Sequence, residues 1–110
     1  FMAGRTKGPL TEPMYYVLMS FLRSGMCGTE ITEFVAQKTQ GRVCLGPGTL
    51  YTLLAKFQEE ELIVETEISG RKRTYCITEK GLAAFREELA RLRACVENGE
   101  EELLQCAKNL

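Results

Sequence analysis

Leu50, Leu53, Leu54 and Phe57 recur at i, i+3, i+4 and i+7 within the stretch GPGTLYTLLAKFQEEELI, residues 46–63, and that is the spacing of one face of an α-helix. Gly46-Pro47-Gly48 punctuates the chain just before this helix, and Leu62-Ile63 start an extended run just after it. The other face carries Thr49, Tyr51, Thr52 and Lys56, which are short, hydrogen-bonding or basic, with one aromatic ring. It lacks the wall of glutamates and lysines of a merely solvated helix until Glu59. A helix with a dry back and such a front suits the major groove of duplex DNA, where side chains meet phosphates and base edges.

The flanking segments supply a scaffold. Thr11 is placed to cap a first helix, with Glu12 and Pro13 tolerated in its first turn. Met14, Val17, Leu18, Phe21 and Leu22 form its stripe, which ends at Gly25. Tyr15, Tyr16 and Met19 lie off the stripe; core burial and contact with a second subunit both account for this excess apolar surface. Gly25 and Gly28 bracket a turn, and a second helix runs to about Lys38 with Ile31, Phe34 and Val35 inward. Val43-Cys44-Leu45 reads as a short edge strand. After the central helix, residues 62–68 and 73–78 flank the basic turn Ser69-Gly70-Arg71-Lys72 and predict a hairpin with Val64, Thr66 and Ile68 inward. Arg71, Lys72 and Arg73 at its tip form a wing.

Thr78 caps the next helix. Leu82, Phe85, Leu89, Leu92 and Val96 then follow at spacings 3, 4, 3, 4, the seam of a coiled coil, which predicts a dimer interface. Asn98-Gly99 is expected to interrupt or kink this helix, with Glu100–Glu102 opening a short closing helix that turns Leu103, Leu104 and Ala107 inward.

At 110 residues the chain has room for one modest core. No apolar run approaches the ~20 residues a bilayer requires, so no membrane partner is expected, and without a signal-like start the expected location is cytoplasmic. Five cysteines, no Cys-x-x-Cys pair and no histidine argue against a metal site. The cysteines read as small hydrophobes, with a redox role for Cys95 or Cys106 left open. No nucleophile–base constellation or phosphate loop is present, so neither an enzyme nor a bound cofactor is expected. The net charge of -1 hides an asymmetry: residues 1–58 carry six Lys/Arg against three Asp/Glu, and acid gathers at 59–61 and 100–102. A locally basic face on a near-neutral chain is compatible with double-stranded DNA.

These parts together resemble the PadR family of transcriptional regulators over about residues 9–96. The resemblance lies in Leu10-Thr11-Glu12 with Tyr15-Tyr16-Val17-Leu18, Gly41-Arg42-Val43, Leu45-Gly46-Pro47-Gly48-Thr49-Leu50-Tyr51, Glu60-Glu61-Leu62-Ile63, and Tyr75-x-Ile77-Thr78-Glu79-Lys80-Gly81. Glu61 departs from the glycine usual before Leu-Ile, Thr29 from a common aromatic, and Phe57-Gln58 from Leu-Glu. The resemblance implies a mainly α fold with a small β hairpin (α+β). It implies a winged helix-turn-helix domain over residues 9–78, a C-terminal dimerisation region over 79–110, and a flexible arm or non-native remnant at 1–8.

It further implies a homodimeric repressor at an inverted-repeat operator. Thr49, Tyr51, Thr52 and Lys56 would face the major groove, and Arg71, Lys72 and Arg73 the backbone or minor groove. The family also responds to small hydrophobic or phenolic effectors, and a pocket for one is expected among Tyr15, Met19, Phe85, Leu89 and Leu92. A winged-helix module that docks proteins without specific DNA binding is the competing expectation.

Overall fold

The computed structural model describes residues 8–110, so the arm expected at 1–8 lies, Gly8 apart, outside the described residues. The elements are α1 (Glu12–Ser20), β1 (Met26–Cys27), α2 (Gly28–Lys38), α3 (Pro47–Glu59), β2 (Ile63–Ser69), β3 (Lys72–Ile77) and α4 (Glu79–Asn109). Three strands form an antiparallel sheet in the order β1-β3-β2. The arrangement is α+β with a wing formed by β2 and β3.

The caps explain the boundaries. Thr11 Oγ1 accepts the Met14 N–H at 3.4 Å to start α1. The helix ends at Ser20 rather than reaching Gly25, and Phe21 N–H and Leu22 N–H bond three residues back, to Leu18 and Met19. The Cys27 N–H donates to Glu30 Oε1 at 2.9 Å and anchors the start of α2. At the end of α3, Leu62 N–H bonds Phe57 C=O and Glu61 N–H bonds Gln58 C=O, a Schellman motif closed by the buried Leu62–Phe57 pair. That motif puts Glu61 at φ 63, where a side chain is strained. The glycine missing from the expected pattern is therefore missing at a left-handed position.

Val17, Leu18, Phe21, Ile31, Val35, Leu50, Leu54, Phe57, Leu62, Ile63 and Phe85 form one core that all four helices and the sheet share. Leu53, expected with the central stripe, is partly buried against it.

Three local expectations are corrected. Val43-Cys44-Leu45 is not a strand. Thr39 Oγ1 accepts from Val43 N–H at 3.0 Å and donates to Val35 C=O at 2.8 Å, so the segment is held as a loop while Val43 and Leu45 enter the core. The third strand is instead Met26–Cys27, inside the Gly25–Gly28 turn, paired with Tyr75 and Thr74. A Cβ at Gly25 would stand 2.8 Å from Cys76 Sγ and 3.2 Å from the Tyr75 carbonyl oxygen, so glycine lets the two strands approach without displacing either.

In β2 the inward residues are Ile63 and Glu65, while Val64 and Ile68 are 50% and 59% exposed. A register shift between Glu65 and Glu67 breaks the expected alternation. Asn98-Gly99, finally, neither interrupts nor ends α4, and Glu100–Glu102 lie mid-helix. An interior glycine costs only about 1 kcal/mol, which flanking helix formers absorb where no proline removes an N–H.

At ~1.5 Å per residue α4 is about 46 Å long. Its first turns bury Gly81, Ala84, Phe85 and Glu88 against the body, and every residue from Arg93 onward is exposed. The protein consequently spans 62 × 36 × 23 Å, and its radius of gyration is 16.5 Å against about 13 Å for a compact chain of this size. Among the described residues no helix is long and apolar enough to cross a membrane.

Candidate nucleic-acid interface

Burying Leu50, Leu54 and Phe57 turns the opposite side of α3 outward, so Thr49, Tyr51, Thr52 and Lys56 are all exposed. By helical geometry Thr52 lies near the middle of that face, with Thr49 and Lys56 on one flank and Tyr51 on the other. The Thr52 hydroxyl donates to Gly48 C=O at 2.9 Å, leaving its oxygen lone pairs directed outward. The Tyr51 ring is 63% exposed on the flank nearest the wing.

Between Tyr51 and the wing runs an open cleft of about 620 Å³ lined by Cys27, Gly28, Thr29, Tyr51, Arg71, Lys72, Arg73 and Tyr75. It brings together four of the seven residues expected to contact DNA. Thr49, Thr52 and Lys56 stand outside it, on the neighbouring face of α3. The N-terminus of α2 opens into the same cleft beside three cationic side chains, and both features attract anions. Sequence patterns missed Cys27, Gly28, Thr29 and Tyr75 because the strand that brings them there is two residues long. Burial first, and then the Glu65 carboxylate, push the Tyr75 phenol above its ordinary pKa, while Arg73 pulls it down.

The seam residues divide between the core and the surface. Phe85 is buried in its own chain, stacked on Tyr15 at 4.9 Å with the rings 5° from parallel, and Leu82 is half-buried. Leu92 is half-buried, and Leu89 and Val96 are exposed. Because α4 is unbroken, the same 3-4 spacing continues through Gly99, Leu103, Cys106 and Leu110, with Leu103 exposed. From Arg93 onward, no described residue of the chain buries this apolar line.

The residues expected to line an effector pocket do not all meet. A smaller cleft of about 270 Å³ is lined by Leu10, Glu12, Tyr15, Tyr16, Glu88, Arg91 and Leu92, so it includes Tyr15 and Leu92 but not Met19 or Leu89. Phe85 is held in the stack against Tyr15. The carboxylate of Glu88 accepts Arg91 Nε–H at 3.0 and 3.2 Å and Leu10 N–H at 3.4 Å, and these bonds, Arg91 first, hold it below the usual carboxylate range against the opposing effect of burial. All five cysteines are free; Cys44, Cys95 and Cys106 are exposed. Among the described residues no group of three potential ligands gathers to hold a metal ion.

Comparisons with known proteins agree with this geometry. The profile described as the transcriptional regulator PadR-like family matches residues 17–87, well over half of the chain. A transcriptional regulator from Clostridium thermocellum superposes with TM-score 0.72 at 19% identity, covering 81% of this chain and 87% of that one. RosR of H. salinarum superposes with TM-score 0.67 at 20% identity, covering 92% and 96%. Bacillus subtilis PadR, solved in complex with operator DNA, superposes with TM-score 0.64 at 21% identity, covering 74% of this chain and 48% of that one. A sequence search of curated proteins finds no match. From the α3 face, the wing and the profile match across both, the chain belongs to the PadR-like family of transcriptional regulators.

Proposed function

We propose that this regulator is a sequence-specific DNA-binding repressor that acts in the cytoplasm as a homodimer on an inverted-repeat operator. The observation that carries the reading is the single cleft in which Tyr51 of α3 faces Arg71, Lys72 and Arg73 of the wing. The α3 face supplies register and base contacts, and the wing supplies salt-dependent attraction to phosphates. The likeness to an operator-bound B. subtilis PadR supports the same reading.

A second copy is the occupant that the apolar line on α4 fits. Antiparallel pairing about a two-fold axis between Val96 and Gly99 places Leu92 of one copy against Leu103 of the other and Val96 against Gly99. It also sets Arg93 near Glu100, twice by symmetry. Parallel pairing would instead leave Gly99 facing Gly99 and set Arg93 near Glu88, which Leu10 and Arg91 already occupy. An inverted-repeat operator would require this dimer to present its two recognition helices about one DNA turn, ~34 Å, apart.

Release by a small hydrophobic or phenolic effector uses a pocket completed by the second copy. The 270 Å³ cleft beside Tyr15 and Leu92 falls just below the usual size of about 300–1,000 Å³ for ligand sites. The effector would favour a dimer geometry with the wrong helix spacing.

Selection of bound duplexes from a random pool tests the core of this reading. Enrichment of one palindromic consensus is expected. Retention of duplexes without any shared sequence would refute sequence-specific recognition and favour a protein-docking module.

A further inference from the structure

The three cations of the wing are not equivalent. Arg73 Nη1 lies 3.5 Å from Glu65 Oε2, with the side chains 60% and 23% exposed. Glu65 opposes Tyr75 in the β2–β3 register and Arg73 opposes Ile68, so the ion pair runs diagonally across the two strands where the register shifts. Glu65 Oε2 is closed to solvent and accepts no hydrogen bond among the described residues, so the Arg73 guanidinium is its countercharge. The guanidinium itself remains largely open and lines the cleft beside Tyr51 and Tyr75.

A carboxylate behind a phosphate-binding face weakens binding to every duplex alike and reduces the counterions its partner can displace. In return it gives direction to a guanidinium that would otherwise swing on a flexible stem, and a planar fork is useful only when aimed.

We propose that Glu65 is a positioning residue for selectivity, fixing Arg73 beside the tip of the wing as a directed contact and leaving Arg71 and Lys72 as sequence-blind phosphate contacts. This rests on the DNA-binding reading of the same face. Because the pair exists within the free protein, its failure can be told apart from failure of that reading.

The test compares the full chain with Glu65→Gln, Arg73→Ala and the double variant. Affinity is measured for a selected duplex and a scrambled one across a range of salt. Glu65→Gln is expected to bind the scrambled duplex roughly two- to fivefold more tightly. Its salt slope should steepen by roughly 0.9 per protomer as one more phosphate is neutralised. The ratio of selected to scrambled affinity should fall, and in the Arg73→Ala background the same substitution should leave that ratio unchanged. In the free protein, rotation of the Arg73 Nη groups should be restricted in the wild type and freer in Glu65→Gln, at an unchanged melting temperature.

A Glu65→Gln variant with wild-type ratio and slope overturns the positioning role, as does a ratio that falls equally without Arg73. Restricted Nη rotation in a wild-type chain that binds no duplex defeats the DNA-binding reading, and this proposal with it.

Discussion

Gly81 packs its α-carbon against the carbonyl oxygen of Leu62, so a Cβ at position 81 would overlap that oxygen and stand 2.8 Å from Ile77 Cγ1. Thr78 N–H donates to the same Leu62 carbonyl at 3.0 Å, its hydroxyl donates to Glu61 C=O at 2.7 Å, and that hydroxyl accepts from Gly81 N–H at 3.0 Å. The run Thr78-Glu79-Lys80-Gly81 is therefore a joint that clamps α4 to the end of α3, beside the start of the wing. Gly81→Ala is expected to destabilise the fold by about 1–3 kcal/mol, because the nearest clashing atom, the Leu62 carbonyl oxygen, is backbone and cannot rotate away. Urea unfolding measures it, and a change below about 0.5 kcal/mol would contradict this packing.

The opposite sign is expected on the α3 side of the same joint. Glu61 occupies φ 63 at the end of α3. Glu61→Gly removes a left-handed penalty of about 1–2 kcal/mol and adds a glycine entropy cost of about 0.5–1 kcal/mol. A net gain of about 0.5–1 kcal/mol should appear as a higher melting temperature, with DNA affinity unchanged.

Acid should loosen the base of α4. Arg91 and then the Leu10 N–H favour the ionised form of Glu88, so its folded pKa lies below its unfolded one. That contribution is complete above the ordinary carboxylate pKa of about 4.3 and is lost as pH falls through the lower folded value. Glu12 and Glu30 shift in the same direction, so the comparison must be with Glu88→Gln. The variant should be less stable at neutral pH and should lose less stability between neutral and acidic pH. Parallel pH profiles would show that Glu88 does not carry this dependence.

The seam can be broken at either end. Leu89→Lys with Leu92→Lys, or Leu103→Lys alone, should yield monomers by sedimentation, since each places charge on the exposed apolar line of α4. Arg93→Glu should weaken the dimer by roughly 1 kcal/mol for the two symmetric contacts, and adding Glu100→Arg should restore it. A dimer indifferent to Leu103 would place the interface elsewhere.

Periodicity revealed most of the helices because their buried faces repeat over about two turns or more, as Leu50, Leu54 and Phe57 do. It was blind where pairing, not patterning, decides. Met26–Cys27 becomes a strand by pairing with Tyr75 and Thr74, which Gly25 eases beside Cys76, and Val43 looks like a strand residue but is held by the Thr39 hydroxyl. Asn98-Gly99 carries the composition of a break, yet the helix passes through it. On the candidate interface, the exposure of Tyr51 and Arg71 follows from the helix and hairpin patterns. Thr29 and Tyr75 reach the same cleft through tertiary pairing, and the Glu65–Arg73 contact follows from a register shift that no local pattern encodes.

The most direct test of the DNA-binding reading is the affinity of the full chain for a selected duplex and a scrambled one, titrated over several salt concentrations. With Lys56, Arg71, Lys72 and Arg73 on each protomer, log affinity should fall with log salt at a slope of roughly −4 to −7 for the dimer. Tyr51→Ala with Lys56→Ala should erase the preference for the selected duplex while leaving the melting temperature nearly unchanged. Binding that is weak, indifferent to sequence and insensitive to salt would contradict the repressor reading and turn the wing and α3 into a surface for protein partners.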